Sequence, residues 1–212
     1  KMNSRRPPIV LLENVAGFLT SHKGKDFTDA MLALNQLNYV VDPFIIDAAK
    51  FVPQSRVRLF VVAHLKCQEN SREARGFYES DIRPKALANF IFDHPEINWK
   101  IKSLPALPKC SLLLEDIIEE IPDDSDIWWN EERQTYLMNQ MSEKHASNLK
   151  SLQLKKRWSY STAFRRVRNG NSMAEIRSDG VAGCLRTPRG GSGRQILIKA
   201  GYGKIKIRLL TP

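Results

Sequence analysis

Three short clusters of polar side chains have residue types and spacings that could support chemistry. The first is Glu-Asn-Val at 13–15, which ends a run of aliphatic residues. The second is Gln54, Arg56 and Arg58 within VPQSRVRLF, and the third is RLLTP at 208–212. A carboxylate can hold or share a proton, and guanidinium groups donate hydrogen bonds to anions and carbonyl oxygens. The clusters therefore predict a site for proton transfer or for recognition of a polar ligand.

The elements around these clusters decide whether their side chains can meet. The run IVLLENVAGF at 9–18, with prolines ahead of it and a glycine behind, predicts a strand buried on both faces. Ligands of open α/β sheets lie beyond the carboxyl ends of such strands, where Glu13 would stand. Arg56 and Arg58 are two residues apart, so on a strand their guanidinium groups would point to one side. Plainer interpretations remain open here: Glu13 as a strand-end cap, and the arginines as partners of local carboxylates.

Periodicity along the chain predicts an α/β part followed by a basic, mixed part, with a boundary near 95–105. GKDFTDAMLALNQLNY predicts a helix, YVVDPFII and VRLFVVAHL predict strands, and CSLLLEDIIEEI predicts a short amphipathic helix. The acidic run 115–132 is interpreted as a solvated helix and loop anchored by Trp128 and Trp129. RQILIKAGYGKIKIRLL predicts a hairpin that turns at Gly201 and Gly203.

Charge is distributed unevenly over the 212 residues, whose net charge is +10. By simple counting, residues 1–109 carry roughly +5, residues 110–143 roughly −9 and residues 144–212 roughly +14. A basic final third favours a polyanion, most commonly nucleic acid, over a merely solvated surface. Cys67, Cys110 and Cys184 form no CxxC pair, which argues against a zinc site or a disulfide framework and for a reducing compartment. No stretch is apolar enough for a membrane span.

Taken in order, the three clusters resemble motifs of the cytosine-5 DNA methyltransferases: Glu-Asn-Val, Gln-x-Arg-x-Arg and Arg-x-Leu-Thr-Pro. AGCLRTPRGGSGRQ is similar to the end of the family's target-recognition region, although Cys184-Leu185 stands where Thr-Leu is usual. The resemblance implies an α/β fold: a partial Rossmann-like methyltransferase sheet, followed by a smaller, mostly β or irregular target-recognition domain. The implied domains are the C-terminal part of the catalytic domain at 1–95, target recognition at 96–205 and a return segment at 206–212.

The resemblance also implies roles for individual residues. Glu13 would share a proton with ring nitrogen 3 of a flipped cytosine, and Asn14 would hold Glu13 and the backbone in place. Arg58 would face the ring carbonyl, and Arg56 would orient the base or the attacking thiolate. The implied DNA-binding residues are Gln54, Arg165, Arg166, Arg186, Thr187, Arg189, Gly190, Gly191 and Arg194.

The family's nucleophilic Pro-Cys motif and its Gly-rich loop for S-adenosylmethionine, the implied methyl donor, have no counterpart in this sequence. We therefore expect an internal fragment or one subunit of a split enzyme, inactive without an N-terminal portion. Double-stranded DNA is the expected substrate, in the cytoplasm of a prokaryote with a restriction-modification system. A non-catalytic specificity subunit or a degenerate relative is the alternative, and a basic RNA-binding domain lacks RNP-like or KH-like signatures.

Overall fold

The computed structural model describes residues 6–65, 77–185 and 194–211. The chain divides into two compact units. The first unit comprises Lys1–Asp47 and Val57–Leu107, and the second comprises Ala48–Arg56 and Pro108–Pro212. Both combine helices with antiparallel sheets, so the predicted α/β class is confirmed. The second unit contains more residues than the first.

The first unit is built on a three-stranded sheet of β1 (Ile9–Val15), β2 (Tyr39–Asp47) and β3 (Val57–Leu65). The strand order is β1-β3-β2, and β3 runs antiparallel to both neighbours. A 3-10 segment (Ala16–Gly24) and helix α1 (Lys25–Gln36) follow β1, and helix α2 (Lys85–Asp93) follows β3. The predicted strands β2 and β3 and the predicted helix α1 are confirmed. Their side chains share one core, formed by Leu19, Phe27, Met31, Tyr39, Val41, Leu59, Val61, Ala63, Leu87, Ile91 and Ile97.

The prediction that β1 is buried on both faces is wrong. Ile9, Leu11, Leu12 and Val15 are all exposed, and Val10 is the β1 residue that packs against the core. The reason is what covers each edge strand: α1 and backbone hydrogen bonds from the chain at Ile82, Asn98 and Lys100 reach β2, whereas the described ladder partner of β1 is β3 alone. An aliphatic run shows that a strand is suited to burial, but its neighbours decide how much of it is covered.

A buried ion pair fixes β2 to the chain around α2. The Arg83 guanidinium lies 2.6 Å from the Asp42 carboxylate, and both side chains are almost fully buried. Arg83 also donates to the backbone carbonyls of Pro43 at 3.1 Å and Lys102 at 3.0 Å. The second Asp42 oxygen accepts from the Lys102 N–H at 3.1 Å. Burial nevertheless raises the pKa of Asp42, although the nearby guanidinium opposes that rise.

The second unit contains a four-stranded antiparallel sheet of order β5-β4-β6-β7. Its elements are α3 (Leu114–Ile117), α4 (Glu131–Met138), α5 (Glu143–Gln153), β4 (Ser159–Arg168), β5 (Asn171–Arg177), β6 (Ile196–Gly201) and β7 (Lys204–Leu209). The predicted hairpin is confirmed as β6–β7, with Tyr202 and Gly203 at its turn, both at positive φ. Gly201, predicted to lie in the turn, instead ends β6 because it pairs with Lys204. One sheet face packs a core with α4 and α5, which includes Leu137, Leu149, Ile196, Ile198 and Ile207.

Three features of the structure bear on the predicted boundaries. The units separate between residues 107 and 108, and residues 48–56 belong to the second unit although they interrupt the first. The predicted amphipathic helix is a single turn, α3, because Ile118 already has an extended backbone. Residues 206–209 pair with β6 and complete β7, and the assignment of 206–212 to a return segment stays a prediction.

Candidate active site and nucleic-acid interface

Glu13 lies near the end of β1, where the strand register brings it next to Arg58. Glu13 is opposite Phe60 on β3, and Arg58 is opposite Val15. Glu13 and Arg58 are therefore diagonal neighbours on one face of an antiparallel pair, within reach of long side chains. Glu13 Oε1 lies 3.2 Å from Arg58 Nε. The carboxylate that pairs with Arg58 is therefore that of Glu13, the candidate acid of the site.

The exposure of this pair leaves it accessible to a ligand. The Glu13 side chain is 49% exposed and the Arg58 side chain 17% exposed. Arg58 also donates from Nη1 to the Val57 carbonyl at 2.8 Å, which restrains the guanidinium. A carboxyl group and a guanidinium held side by side can serve an amide-like ring edge, the first at a ring nitrogen and the second at the neighbouring carbonyl oxygen.

Asn14 points its side chain back onto the backbone at the end of β1. Its Oδ1 accepts a hydrogen bond from the Val15 N–H at 2.8 Å, at the point where the chain enters the 3-10 segment. Amide side chains that bond to nearby backbone groups compete with regular structure and mark such chain reversals. This contact fixes the backbone next to Glu13.

Gln54 and Arg56 lie in the second unit, on the segment 48–56. The segment is held against Ala182 by backbone hydrogen bonds: Ser55 N–H donates to the Ala182 carbonyl, and Ala182 N–H donates to the Pro53 carbonyl, both at 2.8 Å. Arg56 Nη1 lies 3.7 Å from the Cys184 thiol. Arg56 directly precedes β3, which begins at Val57, and the prediction that its guanidinium points to the same side as that of Arg58 stays a prediction.

The basic cluster FRRVR forms the end of β4 in a hairpin with β5. The turn residues Asn169 and Gly170 both have positive φ, as a tight hairpin requires. Arg166 lies over the Phe164 ring at 5.1 Å and 3.9 Å from Glu175, and Arg168 is 2.8 Å from the same carboxylate. The sequence analysis identified Arg165 and Arg166 but missed Glu175, which pairs with Arg166 and Arg168. The Asn-Gly dipeptide between two strand-like runs is the signal that could have revealed the hairpin.

The Gly-rich loop of the predicted interface is described only at its edges. Arg186, Thr187, Arg189, Gly190 and Gly191 lie outside the described residues. Arg194 is exposed and precedes Gln195, whose buried side chain fills the space beside Gly183. A Cβ on Gly183 would lie only 2.6–2.9 Å from the end of that side chain, so Gln195 would have to move to admit it.

Within the described ranges no cluster of His, Cys, Asp and Glu could hold a metal ion. Neither Cys110 nor Cys184 forms a disulfide within the described residues, and Cys67 lies outside them. A search of the described helices finds none that is long and apolar enough to cross a membrane.

Comparisons with known proteins place these residues in a family. A family model described as C-5 cytosine-specific DNA methylase matches residues 2–211. The type II methyltransferase M.DsaV of Dactylococcopsis salina is 33% identical over 129 residues, which are 60% of this chain and 30% of that protein. The DNA-cytosine methyltransferase of Escherichia coli K12 is 37% identical over 70 residues, which are 29% of this chain and 15% of that protein.

These matches span less than a third of each relative's length. Among solved structures, the crystal structure of the S. pombe Dnmt2 methyltransferase aligns at 21% identity and a TM-score of 0.37. That alignment covers 64% of this chain and 35% of that one. Because the family model extends over nearly all of its residues, the chain belongs to the C-5 cytosine-specific DNA methylase family.

Proposed function

We propose that this chain supplies the activating residues and the sequence recognition of an enzyme that transfers a methyl group from S-adenosylmethionine to carbon 5 of cytosine in duplex DNA. The observation that carries the proposal is the Glu13–Arg58 pair, 3.2 Å apart on neighbouring strands in a chain of this family. A group that only binds DNA needs phosphate contacts, but it does not need a carboxylate beside a guanidinium.

The chemistry explains why this pair is useful. Carbon 5 of cytosine is a poor nucleophile until a thiolate adds to carbon 6, which is covalent catalysis. The electron pair of the broken ring double bond then moves toward ring nitrogen 3 and the carbonyl oxygen. Glu13, by donating or sharing a proton at nitrogen 3, lowers the cost of that charge. Arg58, by donating N–H to the carbonyl oxygen, stabilises the same charge from the adjacent position.

The target base must leave the helix stack to reach such a pair, because its ring edge is otherwise occupied in the duplex. Asn14 is the positioning residue for Glu13, through its bond to the Val15 backbone. Arg56, at 3.7 Å from Cys184, orients either the base or the thiolate. We assign no residue of this chain to the binding of S-adenosylmethionine, the methyl donor. The nucleophilic cysteine and the donor site belong to an N-terminal portion, in the same chain or in a partner.

DNA recognition is assigned to the later residues of the chain. We retain 1–95 as the catalytic part, 96–205 as the target-recognition domain and 206–212 as the start of the return to the catalytic domain. Gln54, Arg165, Arg166 and Arg194 are the described members of the proposed DNA interface. The two arginines on β4 lie in a hairpin whose tip can approach a groove, and the charge of roughly +14 over residues 144–212 favours phosphate contact.

The exposed aliphatic side chains of β1 support the idea that further polypeptide packs against this edge. Exposed apolar surface of this kind marks an interface rather than a solvent-facing strand. The proposed N-terminal portion is its occupant in our scheme.

The test is methyl transfer with and without that portion. The purified 212-residue chain, incubated with S-adenosylmethionine labelled in its methyl group and with mixed-sequence duplex DNA, should incorporate no label. The same chain joined to an N-terminal methyltransferase portion should label carbon 5 of cytosine. Label incorporated by the 212 residues alone would mean that one of their own cysteines attacks the ring. A joined chain that binds duplex DNA but never methylates it would favour a non-catalytic specificity module.

A further inference from the structure

The second face of the β4–β7 sheet carries basic side chains that are covered by an acidic part of the same unit. In the β6–β7 register, Lys199 is opposite Lys206 and Leu197 is opposite Arg208, so all four side chains share this face. Like charges directly opposite each other destabilise a sheet. A basic face of this kind needs either counter-charges or an anionic ligand.

A single aspartate supplies the counter-charge to the two lysines. Asp123 Oδ1 lies 3.7 Å from Lys199 Nζ and 3.3 Å from Lys206 Nζ. Lys206 also donates a hydrogen bond to the backbone carbonyl of Asp123. The Lys206 ammonium holds the pKa of Asp123 below its ordinary value. The lysine side chains are only 13% and 18% exposed, whereas Asp123 is 56% exposed.

The acidic segment, defined here as Leu114–Trp128, is seated on this face by apolar contacts as well. Buried Leu114 forms a cluster with Ala182 and Leu197, and Ile118 packs against that cluster. The Trp128 ring centroid lies 5.8 Å from Lys206 Nζ. The segment therefore holds the Asp123 carboxylate against the two ammonium groups, while its acidic side chains remain exposed, as the sequence-based interpretation of a solvated run expected.

We propose that the acidic segment is an internal competitor for DNA: it occupies a phosphate-binding surface formed by Lys199 and Lys206. The inference rests on the proposed function of the second unit in binding DNA. One carboxylate oxygen of Asp123 lies near both ammonium groups and its backbone carbonyl accepts from Lys206, so this residue occupies the place that the oxygens of a backbone phosphate would take. While Asp123 holds the two ammonium groups, neither lysine neutralises a DNA phosphate or displaces its counterions. The phosphate contacts are then made by the β4–β5 hairpin and the Gly-rich region. The segment thereby limits non-specific affinity.

The test compares two substitutions that change net charge equally. Asp123→Asn and Asp124→Asn each remove one negative charge from the same segment, but the structure gives the lysine contacts to Asp123. Binding of the full 212-residue chain to a mixed-sequence duplex is measured over a range of salt concentrations. Asp123→Asn should bind more tightly at low salt, with a slope of log K against log salt that is steeper by about one for each released lysine. Asp124→Asn should keep the wild-type slope.

A further substitution identifies the group that is released. Lys206→Met in the Asp123→Asn background should remove most of the added slope, whereas Lys206→Met in the wild-type chain should leave DNA binding unchanged because that lysine is already occupied. The second arm needs no variant at Asp123 and so remains informative if Asp123→Asn fails to fold. Equal slopes for Asp123→Asn and Asp124→Asn, or weaker binding by Lys206→Met alone, would overturn the inference while leaving the proposed function intact. Failure of the wild-type chain to bind duplex DNA at low salt would overturn both.

Discussion

Replacing Glu13 by glutamine separates a chemical role from a structural one. The Glu13→Gln side chain has nearly the same shape, and its amide oxygen can still accept from Arg58, but it has lost the charge and the titratable proton. The ion pair that is changed is half-exposed at 3.2 Å, and pairs of this kind contribute at most about 1 kcal/mol to folding. Proton transfer by a positioned carboxyl group contributes ~10²–10⁴-fold to rate. That range corresponds to about 3–5 kcal/mol of activation free energy, several times the loss of stability.

The assay follows both quantities on the same protein. Methyl transfer from labelled donor to DNA is measured on the chain joined to its N-terminal portion, and the free energy of unfolding is measured by urea titration. Glu96→Gln is the matched control, since Glu96 is an exposed glutamate of the same unit outside the proposed site. We expect Glu13→Gln to keep duplex binding and most of its stability but to lose at least ~10²-fold in transfer. Transfer near the wild-type rate would remove Glu13 from the mechanism. A loss of stability as large as the loss in activation free energy would show that Glu13 is structural.

Three further predictions concern the units that carry the site. Asp42→Ala leaves the Arg83 guanidinium buried without its carboxylate and should lower the free energy of unfolding by about 3–5 kcal/mol, whereas replacing both by apolar residues of similar volume should be close to neutral in urea unfolding. Gly201→Ala would place a Cβ 2.1 Å from the Arg157 carbonyl oxygen, so the backbone must shift. Thermal melting should show that the free energy of unfolding falls by about 1–3 kcal/mol or more. Because the folded-state pKa of Asp123 is lowered by its lysine partner, its contribution is present above pH ~3.8 and lost as the pH falls through that lower pKa. The difference in melting temperature between wild type and Asp123→Asn should therefore be present above pH ~5 and shrink as the pH falls below ~3.8, as thermal melts across this range would show.

The sequence alone determined those features that depend on local pattern. Helix α1 and strands β2 and β3 follow from their apolar periodicity, and the β6–β7 hairpin follows from alternation around glycines. Each of these patterns lies within one short segment, so interactions between residues close in sequence are enough to favour that helix or strand. Glu13 and Arg58 could be selected as candidates in the same way, from residue type and order.

Only the tertiary structure decided which segments meet. The Glu13–Arg58 contact depends on β1 pairing with β3 in one register, and Arg56 belongs to the second unit although only one residue separates it from Arg58. β1 is largely exposed, whereas α1 and backbone hydrogen bonds from distant segments cover the other edge strand, β2. Asp123 lies against Lys199 and Lys206 at a sheet face, in a run whose acidic side chains remain exposed. These outcomes arise from contacts between residues that are distant in sequence. The free energy of such a contact depends on all competing partners, so local sequence periodicity cannot predict it.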